Sequence, residues 1–194
     1  GSRRAPTAMW TINRILMASA PVPPSLVADF EEHILDGGEV NTPFGASESM
    51  PITMMSGSEI IAETATLSEQ GRGMCVGREI RGHTIRIIRI TDEPIPDWDD
   101  ELLLPPGEVG EIVVKGPVVT RTYLNRPQQT AAAKIHDDDG IWHRMGDLGY
   151  LDEKGRLWFC GRKAHRIETS QGLMLPVPCE TIFDHHPDVV GTAL

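Results

Sequence analysis

The sequence predicts a mixed α+β fold: the end of an α/β subdomain, a small antiparallel β-barrel, and the start of a small C-terminal α/β domain. Three observations carry the prediction. Residues 1–70 hold a strand–helix–strand pattern, residues 71–160 hold short β-branched runs divided by glycine and proline, and residues 161–194 return to mixed signals. Changes of hydrophobic period and of Gly/Pro punctuation are the strongest local signals in a single sequence.

In chain order, "INRILMASA" from Ile12 to Ala20 reads as a buried strand ending in small residues. After "PVPPS", the residues Leu26, Val27, Phe30 and Ile34 recur on one helical face. Ser25 is the expected N-cap and Gly37-Gly38 the stop. Val40 opens the next strand, completing a βαβ-like unit at the edge of a larger parallel sheet. Two strands do not make an independent α/β domain, so the chain reads as a piece of something longer.

That strand runs into "NTPFGASESMP", Asn41 to Pro51. The residues leave two readings open. In one, Pro43 and Gly45 make a turn, and Ser47 with Glu48 caps a following helix. In the other, Phe44 offers a flat face to a ring, Ser47 a hydroxyl to a phosphate, and Glu48 a carboxylate to a divalent cation.

From Gly71, "GMCVG", "HTIRIIRI", "GEIVVKGP" and "RLWFCG" suit a small antiparallel sheet or barrel. The acidic, proline-rich "TDEPIPDWDDELLLPPGE" between them reads as a solvated connection. "HDDDG", His136 to Gly140, lacks the alternating ligands and closing Glu of a calcium loop and is expected to be a turn. Near the end, Cys179 to His186 reads as a helix stopped before Pro187, and "VVGTAL" as a strand. His185-His186 is not a metal pair, because adjacent helical residues face different ways and no third ligand is evident.

Composition excludes several classes. Net charge is −10 with scattered basic residues, which argues against nucleic acid and anionic membrane as partners. No apolar stretch approaches the ~18 residues of a membrane span, and no signal peptide opens the chain. The 3 cysteines, Cys75, Cys160 and Cys179, are widely spaced with no CxxC; reduced thiols in a cytoplasmic protein fit them, and a structural zinc does not.

Three stretches then line up. "FGASE" (44–48), "GEIVVKGPVVTRTYLNRPQQT" (110–130) and "WHRMGDLGYLDEKGRLWFCGRK" (142–163) resemble, in order, elements of the adenylate-forming superfamily of acyl-CoA synthetases, luciferases and peptide-synthetase adenylation domains. Ser47 and Met145 stand where that family has threonine. The resemblance implies ATP and Mg²⁺ as cofactors. It implies that Phe44 stacks on adenine, with Gly45, Ala46 and Phe159 around the nucleotide. Ser47 would contact the α-phosphate, and Glu48 would ligate Mg²⁺. Asp147 would accept the ribose hydroxyls, with Arg162 reaching the ribose or the phosphate. Without the resemblance, Asp147 is equally a turn residue after Gly146.

The family's phosphate loop would lie upstream of residue 1 and its adenylation lysine downstream of residue 194. These residues are therefore expected to be inactive alone, and apolar surface in the first sixty or so is expected to promote self-association. "CGRKAHRIET" departs from the family pattern, with Ala164 at the hinge and Glu168 in place of a basic residue. With "APVPPS", "CVGR" and "MLPVPCE", it is similar to the β-lactone synthetases of bacterial olefin biosynthesis. That similarity implies activation of a long-chain β-hydroxy fatty acid as its acyl-adenylate, closure by the substrate's own hydroxyl, and partners among enzymes of the same pathway. The alternatives are a fatty-acyl-CoA or fatty-acyl-AMP ligase, and a non-catalytic β-barrel interaction module.

Overall fold

A computed structural model describes residues 12–20, 22–34, 37–184, 186 and 188–194. Strand β1 (Arg14–Leu16) and strand β2 (Glu39–Ala46) pair in parallel, Ile15 opposite Val40, with helix α1 (Pro24–His33) between them. The expected βαβ unit is therefore present. Val27 of α1 is fully buried against a cluster of Val40, Met55, Ile60, Cys75 and Trp158. Burying one such side chain stabilises by about 1.5–3 kcal/mol.

Local details differ from expectation. The strand predicted over 12–20 shrinks to three residues, with Leu16 66% exposed, because among the described residues β1 is the sheet's edge and pairs only with β2. Ser25 is not the N-cap. Helix α1 starts at Pro24, capped by Pro23 without a side-chain hydrogen bond, because proline's fixed φ already suits the first helical position. The helix also ends before Gly37-Gly38, where Ile34 turns extended.

Strand β2 reverses at Ser47-Glu48 into β3 (Ser49–Ser56), with Phe44 opposite Thr53 and Ala46 opposite Ser49. No helix follows Glu48, so the capping reading fails and the stretch is a hairpin tip. Gly45 is required there: a Cβ would sit 2.6 Å from the Ser49 carbonyl oxygen. Residues 57–72 are helical, α-helical at Gly57–Glu59 and Ala65–Leu67 and π-wound at Ile60–Thr64 and Ser68–Arg72, with a kink at Gly71, whose φ is +80°.

Strand β4 (Met74–Glu79) joins the two halves of the sheet. It pairs first with β9 (Leu157–Arg162), Met74 opposite Phe159, and then with β3, Arg78 opposite Met54. It bends at Gly77, whose φ is +90° and whose added Cβ would lie 2.1 Å from the Met54 carbonyl oxygen. Beyond it lie β5 (Thr84–Ile88), β6 (Gly110–Lys115), α2 (Pro127–Ala133), β7 (Lys134–Asp137) and β8 (Gly140–Leu151). The result is a 9-stranded path, β1-β2-β3-β4-β9-β8-β6-β5, with β7 attached to β8. The short β-branched runs are strands, as expected, and they curl around Ile52, Ile85, Ile112, Val114 and Leu157. Among the described residues no ladder joins β5 to β1, so the barrel-like wall stays open.

The acidic connection is less solvated than its composition suggests. Trp98 stacks on Trp142 at 4.4 Å, and Ile95 and Leu102 cover the cluster of Ile88, Val113 and Ile135. Aromatic burial outweighs the surrounding charge. "HDDDG" forms the β7–β8 turn, with Lys115 Nζ donating to Asp137 and Asp139.

After β9 come the hairpin β10 (Ile167–Thr169)–β11 (Gly172–Met174) and helix α3 (Pro176–Asp184). Helix α3 starts earlier than Cys179, and His185 and Pro187 lie outside the described residues. "VVGTAL" forms no strand; with no neighbour to pair with, it lies on α3, where Thr192 Oγ1 donates to Asp184 Oδ1 at 2.8 Å. All three cysteines are free, and burial pushes the thiols of Cys75 and Cys160 up to about 11 and about 12. No helix among the described residues is long and apolar enough to cross a membrane.

Candidate functional site

The β2–β3 hairpin tip faces the β8–β9 pair across a cavity of about 540 Å³. Phe44, Gly45, Ala46, Ser47 and Glu48 line one side, and Asp147, Phe159 and Arg162 the other. Every residue that the sequence singles out for a site therefore reaches the same cavity, whose size lies within the range of small-molecule sites. The rings of Phe44 and Phe159 are 5.6 Å apart and tilted by 47°, an apolar aromatic patch within it.

Asp147 owes its place to a fault in the ladder. Strand β6 pairs with β8 through Glu111 opposite Leu148 and Val113 opposite Arg144, so the register slips between them. Gly146, with φ +68°, absorbs the slip. Asp147 is thus interior to a 12-residue strand, not the turn residue that the sequence also allowed, and Arg162 closes β9. The two are register partners, and Arg162 Nη1 donates to Asp147 Oδ1 at 2.9 Å. The side chain of Asp147 is 6% exposed and that of Arg162 is 56% exposed. Burial pushes Asp147 up to about 6, against the pull of Arg162. A carboxylate has about four acceptor positions. Arg162 is its one side-chain donor among the described residues, so the cavity holds an ionisable group short of partners.

Glu48 is held differently. Tyr123 Oη donates to its Oε1 at 2.6 Å, and the Thr120 N–H donates to its carbonyl oxygen at 2.8 Å. The tyrosine bond holds the Glu48 carboxyl below its usual range, while burial and Glu48 together push Tyr123 up to about 12. Behind Tyr123 lies Lys134, which is 2% exposed, with Nζ 5.7 Å from the tyrosine ring and donating to Thr120 Oγ1 at 3.2 Å. Burial lowers Lys134 to about 8 and the neighbouring His143 to about 4. Sequence reasoning missed Tyr123, Lys134 and His143. The one signal was a lysine directly after the apolar run "AAA", Ala131–Ala133, and nothing local links it to Glu48.

A family model described as AMP-binding enzyme matches residues 4–124, more than half of the chain's 194 residues. The chain belongs to the AMP-binding enzyme family. Two relatives are named olefin beta-lactone synthetase. The chain is 44% identical over 189 residues to the one from Stenotrophomonas maltophilia, covering 95% of this chain and 34% of that protein. It is 46% identical over 182 residues to the one from Xanthomonas campestris pv. campestris, covering 91% and 33%. O-succinylbenzoate coenzyme A synthetase from Bacillus subtilis, solved in complex with ATP and magnesium ion, superposes with a TM-score of 0.68 at 27% identity, covering 92% of this chain and 32% of that one. The chain thus spans about a third of the length of these proteins.

The residues present fit what an AMP-binding enzyme holds. Two phenyl rings suit a purine, and a buried, donor-poor carboxylate suits a diol that can give it two O–H bonds. Mg²⁺ keeps several waters and takes one or two carboxylates beside phosphate oxygens. Glu48, ionised and at the cavity wall, fits that mode; among the described residues no group of three or more His, Cys, Asp or Glu makes a closed cage.

Proposed function

We propose that this chain forms the adenosine- and metal-facing wall of an AMP-forming ligase. The whole protein would activate a long-chain β-hydroxy fatty acid with ATP and close it to a β-lactone. The observation that carries the reading is the meeting of Phe44, Glu48, Asp147 and Phe159 on one cavity, with Asp147 buried and short of donors. In this reading the aromatic pair seats the adenine, and Asp147 accepts the ribose hydroxyls, which supply the stabilisation that Arg162 alone does not. Glu48, kept ionised by Tyr123, holds Mg²⁺, which neutralises phosphate charge when bound. The acid's carboxylate oxygen bonds the α-phosphorus as the bond to pyrophosphate breaks. The β-hydroxyl then attacks the acyl carbon, releases its proton to solvent and expels AMP. That second step needs no second substrate as nucleophile, because the hydroxyl is already tethered.

Two features support the lactone reading over thioester formation. The relatives at 44% and 46% identity bear the β-lactone synthetase name. Ala164, where the family has a charged hinge residue, lies in a turn (Lys163–His165) tied to the body of the fold: Lys163 bonds Glu111 at 3.2 Å and Arg166 bonds Asp92. The test is incubation of the whole protein with ATP, Mg²⁺ and a β-hydroxy fatty acid, with and without coenzyme A. The reading expects AMP and a β-lactone in both. A product that forms only with coenzyme A contradicts it.

A further inference from the structure

A second cavity, of about 670 Å³, is lined by Tyr123, the residue that bonds Glu48. Its wall includes Arg121, Arg126 and Lys134, and among the described residues no aspartate or glutamate lines it. That is unusual for a chain of net charge −10. Neither Arg121 nor Arg126 has a side-chain hydrogen bond or ion pair among the described residues. Lys134 is nearly sealed from solvent at 2% exposure, yet its ammonium has Thr120 Oγ1 as its one hydrogen-bond acceptor among the described residues, although it carries three donors. Burial lowers this ammonium to about 8, with the nearby Glu48 carboxylate pulling the other way.

The wall is also held in place. The Tyr123 N–H donates to Thr130 Oγ1 at 3.0 Å, the Arg126 N–H to the Tyr123 carbonyl at 3.2 Å, and Thr130 Oγ1 to the Arg126 carbonyl at 2.9 Å. The segment 123–130, which carries Arg126, is thus a closed loop, and Arg121 lies just before it.

We propose that this cavity is a subsite for a compact phosphoryl anion, either pyrophosphate or the phosphate arm of a nucleotide, held by Arg121, Arg126 and Lys134. Guanidinium forks match phosphate oxygens two at a time, and the buried ammonium supplies a fixed charge at the base. The surrounding acidity disfavours an extended polyanion such as nucleic acid. Tyr123 lines this cavity and bonds Glu48 of the first, which links the two. The subsite rests on its own side chains and not on the nucleotide reading of the first cavity.

The test is a calorimetric titration of the chain with inorganic pyrophosphate, and separately with adenosine 3′,5′-bisphosphate, at fixed ionic strength. The expected result is saturable one-to-one binding, at least fivefold weaker in Arg121→Gln and in Arg126→Gln and weaker still in the double variant. Both positions are exposed, so these variants fold; circular dichroism checks it. Tighter binding of pyrophosphate or of the bisphosphate says which source the subsite serves. Excess adenosine, which has no phosphate and would occupy the first cavity, should leave the affinity unchanged. Absence of saturable binding, wild-type affinity in the double variant, or displacement by adenosine would each overturn the proposal.

Discussion

Two buried carboxylates on neighbouring strands meet arginines in opposite ways. Glu111 of β6 is 1% exposed and accepts from Arg144 Nη2 at 2.7 Å and Lys163 Nζ at 3.2 Å. Arg144 in turn donates to the carbonyls of Thr91, Glu93 and Ala132, leaving only its Nε without a partner among the described residues. Asp147 of β8 is almost as buried, yet its arginine is half in solvent. The first cluster is sealed from solvent and satisfied at all but that one nitrogen, and it ties β6, β8 and the turn after β9 together. The second is incomplete and opens on a cavity. Burial of charge by itself therefore does not mark a site; burial with donors missing does.

The contrast predicts opposite responses to substitution. The largest effect belongs to the complete cluster. Arg144→Met strands the buried Glu111 with Lys163 alone and should destabilise the chain by about 3–5 kcal/mol in chemical denaturation. A midpoint equal to wild type would erase the distinction between the two carboxylates.

Asp147→Asn should do the reverse. Because folding raises this carboxyl from 3.8 to about 6, the folded state binds the extra proton between those values, and its relative stability falls as pH rises through that window. At pH 7 the penalty is present in full, at ~1.4 kcal/mol per pKa unit. The variant should therefore be more stable than wild type by roughly 1–3 kcal/mol at pH 7 and equal to it near pH 3.5. Denaturation curves of both proteins across pH check the sign, and a variant less stable at pH 7 would make Asp147 a structural partner of Arg162.

Glu48 sharpens the comparison from the other side, being partly exposed and held by a tyrosine instead of an arginine. Tyr123→Phe removes the bond that most lowers its carboxyl, so its titration should move upward toward the ordinary glutamate value. The lost charge-assisted bond is on the order of 1–3 kcal/mol. Carbon-detected NMR of the side-chain carboxyl reads the titration directly, and an unmoved value would assign the low pKa to Lys134 and His143.

The smallest effect concerns the surface. Leu16, Met50 and Ile61 leave apolar area exposed on the first part of the chain, and we propose that it promotes self-association. Sedimentation velocity should show a concentration-dependent species that Leu16→Glu weakens several-fold; identical profiles would remove that role from Leu16.

How much of this is legible in the sequence depends on the range of the interaction. The mixed fold class, the βαβ unit and most barrel strands follow from period and punctuation, which are local. The residues of the first cavity were reachable because three motifs fall in order along the chain, although their meeting is a property of the sheet. The hairpin at Ser47-Glu48 and the short extent of β1 were not legible, since both depend on which strand lies alongside. Trp98 sits in a segment that reads as solvated, and it is half-buried by a stacking partner, Trp142, supplied by another strand. Tyr123 and Lys134 reach Glu48 only through the docking of the segment before β7, which no local signal encodes.

The account's central claim is that the donor-poor Asp147 is a ligand-binding carboxylate facing Phe44 and Phe159. An NMR titration of the chain with AMP, in wild type and in Asp147→Asn, tests it most directly. The account predicts binding on the order of millimolar, about −4 kcal/mol. Shift changes should gather at Phe44, Gly45, Asp147 and Phe159, and affinity should fall about tenfold in the variant as two charge-assisted bonds weaken. Equal affinity in the two proteins, or shifts confined to another face of the fold, would contradict it.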